Sequence, residues 1–249
     1  MLVNGHNLYV DRHGPEDGPV VMLLHHGLGS VRAWKEQIPR LVQAGYSVVA
    51  FDRWGYGGSE ARPALDLPTF ATDVNDLLTI LNEYKIRRAA LVGHSDGGTI
   101  ALYFAAQHPA RVSSVVTVAA HIYFEPKMVP AILDIERSFE IDQRFRIGLR
   151  HAHGDKYEST FHNWFDGWQG IESLSWDMRP ILACIPCPVL VVQGEKDEHA
   201  TPGHAKDMAE AIPGAELWLV PGAGHMLPQE HADLFNPRLL QFLERHRDG

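Results

Sequence analysis

Ser95 lies in Gly93-His94-Ser95-Asp96-Gly97-Gly98. A serine hydroxyl is a poor nucleophile at neutral pH and needs a base, itself oriented by an acid. The G-x-S-x-G spacing carries that chemistry when a strand runs into it and a helix leaves it. The glycines then allow a sharp turn that exposes the hydroxyl at the end of the strand. The apolar run Ala89–Val92 precedes the motif and a small-residue stretch follows. Two later turns supply partners. Gln193-Gly194-Glu195-Lys196-Asp197 follows Val189–Val192, and Pro221-Gly222-Ala223-Gly224-His225 follows Leu217–Val220. We read Ser95 as nucleophile, His225 as base and Asp197 as the acid that holds the imidazole tautomer. Glu195 and Glu198 are rivals for the acid, with Glu195 placed early in the turn.

Acyl transfer also needs donors for the developing oxyanion. Val20–Leu24 ends in His25-His26-Gly27-Leu28-Gly29-Ser30, where Gly27 lets a backbone N–H point inward. The N–H groups of Leu28 and Asp96 are the expected oxyanion hole, with His26 bracing the loop. The Asp96 side chain raises a conflict. A carboxylate ~6 Å from an oxyanion repels it by about 3 kcal/mol at an effective dielectric near 20, a slowing of roughly a hundredfold. Asp96 must therefore face solvent, find an internal cation, or bind a substrate ammonium. As a helix-terminal acid it also suits the macrodipole.

These residues need elements to hold them at one edge. Val20–Leu24, Ser47–Phe51, Ala89–Val92, Val112–Val118, Val189–Val192 and Leu217–Val220 are near-continuous apolar runs, as in strands buried on both faces of a parallel sheet. Helical stretches alternate with them: Ala33–Gln43, shortened or kinked by Pro39, then Leu67–Tyr84 with Pro68 near its start, Gly97–Gln107, Pro202–Ile212 and Glu230–Arg245. The fold class is α/β, a mostly parallel doubly wound sheet. From 121 to 180 no strand-like run occurs, and Phe161, Trp164, Phe165, Trp168 and Trp176 cluster there. This interval reads as a helical lid on a core of residues 1–120 and 181–249. Its aromatics either pack the lid or line the substrate pocket, Trp164 being the candidate substrate-binding residue.

Composition narrows the partners. The 249 residues carry a formal net charge of −9 with no basic run, which disfavours nucleic acid and anionic membrane surfaces. No apolar stretch approaches the ~18 residues of a membrane span, and the N-terminus lacks a signal-peptide pattern. A cytoplasmic location and a small-molecule ester substrate are expected. Cys184 and Cys187 read as structural thiols, because the apolar strand run follows the C-x-x-C and there is no second half for zinc. His151-Ala152-His153 lacks a third ligand and reads as a solvated turn. No metal or cofactor is expected. Asp52-Arg53-Trp54-Gly55-Tyr56-Gly57-Gly58-Ser59 lacks the lysine of a phosphate loop and reads as a bracing turn, with Asp52 and Arg53 structural.

Taken jointly, His25-His26-Gly27, Asp52-Arg53-Trp54-Gly55-Tyr56-Gly57, Gly93-His94-Ser95-Asp96-Gly97-Gly98, Asp197 and His225 resemble the α/β-hydrolase fold family over nearly the whole chain. Within it, Ser95-Asp96-Gly97-Gly98, Trp164-Phe165-Asp166-Gly167, Cys187-Pro188 and Gly194-Glu195-Lys196-Asp197 are similar to the valacyclovirase (biphenyl hydrolase-like) group, whose members hydrolyse α-amino acid esters. That resemblance implies the same triad and an Asp96 that recognises an amino group. Glu198 stands where a proline is common, and the oxyanion loop carries a doubled histidine. A serine esterase of small carboxylic esters, α-amino acid esters among them, is the leading reading. A carbon–carbon bond hydrolase of aromatic ring-fission products and a ligand-binding receptor on a hydrolase scaffold are the alternatives.

Overall fold

The computed structural model describes residues 1–171 and 175–247. A small hairpin opens the chain, β1 (Leu2–Val3) and β2 (His6–Asn7), turned by Asn4 and Gly5 at positive φ. Then come β3 (Val10–His13), β4 (Val20–Leu24), β5 (Ser47–Phe51), β6 (Ala89–His94), β7 (Val112–Val118), β8 (Val189–Gly194) and β9 (Glu216–Val220). The last seven form one sheet in the order β3-β5-β4-β6-β7-β8-β9. Every pair in it is parallel except β3 with β5.

Six of these strands match the apolar runs. β6 and β8 continue past their runs into His94 and Gly194, so ladder bonding carries the motif residues to the sheet edge. The hairpin and β3 are additions to the sequence reading. Val-Asp-Arg-His in β3 is half-exposed, as an outer strand can be, and it lacks the continuous apolar signal of a covered one.

The ten α-helices are α1 (Ile38–Gln43), α2 (Ala71–Glu83), α3 (Asp96–Gln107), α4 (Met128–Ile141), α5 (Gln143–His153), α6 (Tyr157–Gln169), α7 (Arg179–Leu182), α8 (Gly203–Ala211), α9 (Leu227–Glu230) and α10 (Ala232–Arg245) among the described residues. Three differ from the sequence reading by more than one residue at an end. Ala33–Gln43 splits into a 3-10 turn, Val31–Trp34, and α1, with Pro39 in the first turn of α1, where a missing N–H costs nothing. Pro68 lies ahead of α2, and Phe70 at φ +48 marks the break. His231 separates α9 from α10. Between β7 and β8 lie α4–α7 and, among the described residues, no strand of the sheet; residues 172–174 of that interval fall outside the description.

Strand alternation sends apolar side chains to two cores. Met22, Leu24, Val49, Phe51 and Leu91 pack on one face with α2, α3 and the α6 aromatics Phe161, Trp164, Phe165 and Trp168. Val21, Leu23, Val48, Ala50 and Val92 pack on the other with Trp34, Leu41, Phe235 and Phe242. The chain leaves β4 toward β5, then returns to lay β6 on the other flank of β4. That reversal opens a crevice at the carboxyl ends of β4 and β6, where doubly wound sheets bind ligands.

The turn from β6 into α3 is held by close backbone approach. A Cβ on Gly97 would collide with the carbonyl oxygen of Leu24 at the end of β4, and one on Gly93 would collide with the Gly97 carbonyl. The backbone strain falls on Ser95 itself, at φ +54 and ψ −119. Its N–H donates to the Val118 carbonyl at 2.8 Å, which fixes the turn against β7. Gly97→Ala should therefore destabilise the protein by about 1–3 kcal/mol through overpacking, read as a lower urea midpoint at unchanged m-value.

Candidate active site

The carboxyl ends of β4, β6, β8 and β9 converge on a cavity of about 320 Å³, lined by Ser95, Asp96, His225, His26, Gly27, Leu28 and residues of the helices that follow β7. This volume lies within the range of small-ligand pockets. All six residues assigned from sequence to catalysis, oxyanion binding or substrate contact belong to this site. Five of them, Ser95, His225, Leu28, Asp96 and Trp164, line the cavity directly. Asp197 sits behind His225.

Asp197 is 2% exposed, and both its oxygens meet His225 Nδ1, at 2.9 and 3.1 Å. It also accepts hydrogen bonds from Gln193 Nε2 at 2.6 Å and from the N–H groups of His199 and Ala200. Burial alone would raise its pKa, but the hydrogen bond and charge of His225 and the His199 N–H outweigh that and hold the carboxyl far below its ordinary value. Of the two rivals, Glu195 is exposed, and Glu198 instead accepts the backbone N–H of His225 at 3.1 Å. No side-chain hydrogen bond joins Ser95 to His225 among the described residues, a contact that commonly tightens only with substrate bound.

The oxyanion loop is built from local hydrogen bonds. His25 Nδ1 donates to the His26 carbonyl at 2.7 Å while Nε2 accepts the Arg53 N–H at 3.0 Å. His26 Nδ1 donates to the Gly27 carbonyl at 2.6 Å. Across a trans peptide the N–H opposes the C=O, so the bond from His26 to the Gly27 carbonyl also fixes the orientation of the Leu28 N–H. That N–H has no protein acceptor among the described residues, as an oxyanion donor requires. Gly27 is obligatory for a second reason: a Cβ there would meet the Trp164 indole nitrogen and come within 3.0 Å of Asp96 Oδ2.

Asp96 resolves its conflict internally. Its Oδ2 is 3.0 Å from Arg53 Nη2, and both residues are almost fully buried, 2% and 1% exposed. Arg53 Nε is 3.7 Å from Asp73, which pairs at 2.8 Å with Arg62, which in turn pairs with Asp66. Burial raises the Asp96 carboxyl and Arg53 opposes that rise. Burial would lower the Arg53 pKa, yet Tyr56, Asp73 and Asp96 hold it above its ordinary value, so the cation persists. Arg53 thus does more than brace a turn. Asp52 does brace, accepting the N–H groups of Val31 at 2.6 Å and Gly58 at 2.7 Å.

Sequence reading missed several contributors. His121, His199 and Met226 also line the cavity, beside Trp168 of the aromatic cluster already singled out, while Met128, Ala131, Ile132, Ile135, Phe145 and Leu149 make its far wall apolar. His94 Nε2 donates to the His225 carbonyl at 2.9 Å, tying the Ser95 turn to the His225 loop. His151-Ala152-His153 is a correction. It closes α5 rather than forming a solvated turn, and His153 is buried with both ring nitrogens bonded, because tertiary contacts 96 and 125 residues away claim it. Cys187 is buried and its thiol pushed up to about 11 by burial, and Cys184 is exposed; both are free. Among the described residues, no group of three or more His, Cys, Asp or Glu is placed to hold a metal ion, and no helix is long and apolar enough to cross a membrane.

Comparison with known proteins defines the class. Residues 19–150 match the family model described as alpha/beta hydrolase fold. The serine hydrolase BPHL of Homo sapiens is 33% identical over 253 residues, covering 98% of this chain and 85% of that protein. The chain belongs to the alpha/beta hydrolase fold family. A putative carbamate hydrolase, RutD, of Variovorax paradoxus is 30% identical over 261 residues, covering 96% of each. The crystal structure of the enol-lactonase from Burkholderia xenovorans shares the fold with a TM-score of 0.80 at 24% identity, over 98% of this chain and 99% of that one.

The buried histidines set the acid limit of stability. Burial lowers the pKa of His25, with Arg53 adding to it, that of His94, with His26 and His225 adding, and that of His121, with His204 adding; all three fall well below the ordinary value. Unfolded, each binds a proton below ~6.5; folded, each stays neutral to a much lower pH. Between those limits the unfolded state holds more protons, so stability is complete above ~6.5 and falls as pH falls. Each ring contributes about 1.4 kcal/mol per pH unit in that window. Urea unfolding free energies at pH 7.5, 6 and 5 should give a slope at the acid end that exceeds the three protons of these rings, because burial also lowers His26, His153 and His199 to about 4.

Proposed function

We propose that this hydrolase cleaves small carboxylic esters through a Ser95-His225-Asp197 triad and an acyl-enzyme. The observation that carries this reading is the shared cavity. Ser95 in its strained turn and His225 on its Asp197 support both border one space with an apolar far wall. Ser95 Oγ attacks the ester carbonyl carbon as His225 Nε2 takes its proton. The N–H groups of Leu28 and Asp96 receive the oxyanion. Asp197 holds Nδ1–H and offsets the charge of the imidazolium. Collapse expels the alcohol, which takes the proton from His225, and water repeats the sequence in reverse roles to free the acid. One oxyanion donor is worth about 2.7–4 kcal/mol to such a step. In this reading residues 121–180 act as a lid over a core of 1–120 and 181–249, and they supply the wall that fits the apolar part of the substrate.

The Arg53 partnership decides how we read Asp96. Its charge is already matched inside the protein, so turnover does not require an ammonium on the substrate. We therefore assign the Asp96 side chain mainly to the buried ion network and its N–H to catalysis, with neutral esters as full substrates. Trp164 lines the cavity and belongs to the substrate-facing wall.

A fluorophosphonate probe should label Ser95 alone, and Ser95→Ala should lower kcat by several orders of magnitude, because triad members act as a unit. Label on another serine, with Ser95→Ala active, would reject the mechanism. In a panel of matched esters, kcat/KM for an α-amino ester and its des-amino analogue should agree within about tenfold, a difference of ~1.4 kcal/mol. A preference of a hundredfold or more for the amino ester would instead make Asp96 an ammonium receptor. Faster turnover of a ring-fission dienoate than of any ester would move the chain to carbon–carbon hydrolysis.

A further inference from the structure

Leu28 adopts φ +59, a left-handed conformation that a leucine takes only under outside constraint. Two peptide planes flank it. The first carries the Leu28 N–H and is held through the Gly27 carbonyl by His26. The second carries the Leu28 carbonyl and the Gly29 N–H; that N–H closes the turn on the His26 carbonyl at 3.1 Å, and the carbonyl is held from elsewhere in the fold. His153, the last residue of α5, donates from Nε2 to the Leu28 carbonyl at 2.9 Å. Its Nδ1 accepts the N–H of Gly57 at 2.9 Å. A carbonyl can only accept and a backbone N–H can only donate, so these partners allow one state of the ring: neutral, with the proton on Nε2.

The surroundings hold it there. His153 is 3% exposed, and burial lowers its pKa to about 4, with the Leu28 bond opposing the fall and Lys156 adding to it. Just beyond it, Lys156 Nζ donates to the Gly57 carbonyl, and Thr160 Oγ1 donates to the Gly55 carbonyl at 2.9 Å. The corner between α5 and α6 is therefore fastened to the loop after β5, and His153 carries that fastening across to Leu28 in the loop after β4, where an exposed Arg32–His151 hydrogen bond of 2.9 Å also joins α5 to the segment after β4.

We propose that His153 is a positioning residue for the oxyanion hole: it makes the left-handed turn at Leu28 conditional on α5 and α6 being docked, so that Ser95 has its Leu28 donor only beneath a seated lid. This rests on the reading of the Leu28 N–H as an oxyanion donor. It adds that a residue outside the sheet loops, touching neither substrate nor triad, controls that donor. The reaction would then be coupled to closure, since a displaced α5 lets Leu28 relax toward the right-handed or extended regions and turns its N–H away.

The test compares His153→Phe, which keeps bulk and loses both hydrogen bonds, with His153→Gln, whose amide oxygen and nitrogen can accept and donate in place of the ring nitrogens. Four quantities are read: kcat and KM on a good ester, affinity for a trifluoromethyl ketone that places an oxyanion in the hole, and affinity for the product alcohol. His153→Phe should lower kcat and trifluoromethyl ketone affinity in parallel, by ~30- to 300-fold, on the scale of one lost donor. KM and alcohol affinity should change less than about threefold, and His153→Gln should recover most of the loss. Unchanged kcat in His153→Phe overturns the proposal. So does an equal loss of ketone and alcohol affinity, which marks a packing role only. Should His153→Phe not yield folded protein, His153→Asn carries the same comparison. Ser95→Ala serves as the separate control: an enzyme silenced by Ser95→Ala but indifferent to His153→Phe keeps its nucleophile and loses only the role given to His153.

Discussion

Everything at this site depends on how closely the turn into α3 can approach the end of β4. The Gly97 backbone lies against the Leu24 carbonyl with no room for a single methyl group. That contact sets the distance between Ser95, on one strand end, and the Gly27-Leu28 loop, on its neighbour. Ser95 absorbs the geometric cost by holding φ +54. The parallel register keeps the remaining strand ends level, with Gly93 opposite Leu24, His94 opposite Val118, and Gly194 opposite Val220. Loops that leave a level edge within a few ångströms of each other can then share hydrogen bonds across very long stretches of chain.

Level strand ends crowd polar groups into a place with little water, and the structure uses two devices to satisfy them. One is the neutral imidazole, which donates from one nitrogen and accepts at the other, and so can join a carbonyl to an N–H without burying a charge. His25 and His153 both do this. The other is the alternating chain Asp96, Arg53, Asp73, Arg62, Asp66, in which each inner charge has an opposite on either side. It ends at the half-buried Asp66, the one member that solvent can reach appreciably. Breaking such a chain at an inner member leaves an uncompensated buried charge, which costs far more than the intact pair contributes.

Much of the fold could be read in advance because covered parallel strands need apolar residues at successive positions, and Val20–Leu24, Ser47–Phe51 and Val112–Val118 coincide with β4, β5 and β7 to the residue. Ser95, Asp197 and His225 were visible for a related reason: each follows such a run in a glycine-bearing turn. What sequence could not show is pairing at long range. Arg53 reads as one more residue of a glycine-rich turn until Asp96, 43 positions later, is found beside it. His153 has no local signature at all, because its two partners lie 96 and 125 positions earlier. β3 escaped for want of the apolar pattern, being an outer strand in which Asp11, Arg12 and His13 follow Val10 without alternation.

The apolar wall of the cavity is contributed by α4 and α5, through Met128, Ile132, Ile135, Phe145 and Leu149, whereas Ser95, Asp197 and His225 all sit on loops of the sheet. Such a division suits divergence by exchange of one continuous insert, with new shapes sampled over unchanged chemistry. His153 closes α5 of that same insert and reaches Leu28 in the loop after β4. Any foreign insert that lacks a donor at this point would bring its new shape to a site with an unsupported Leu28. Inheritance of the helices and of the loop after β4 is thereby linked, and the two segments should vary as one unit across lineages.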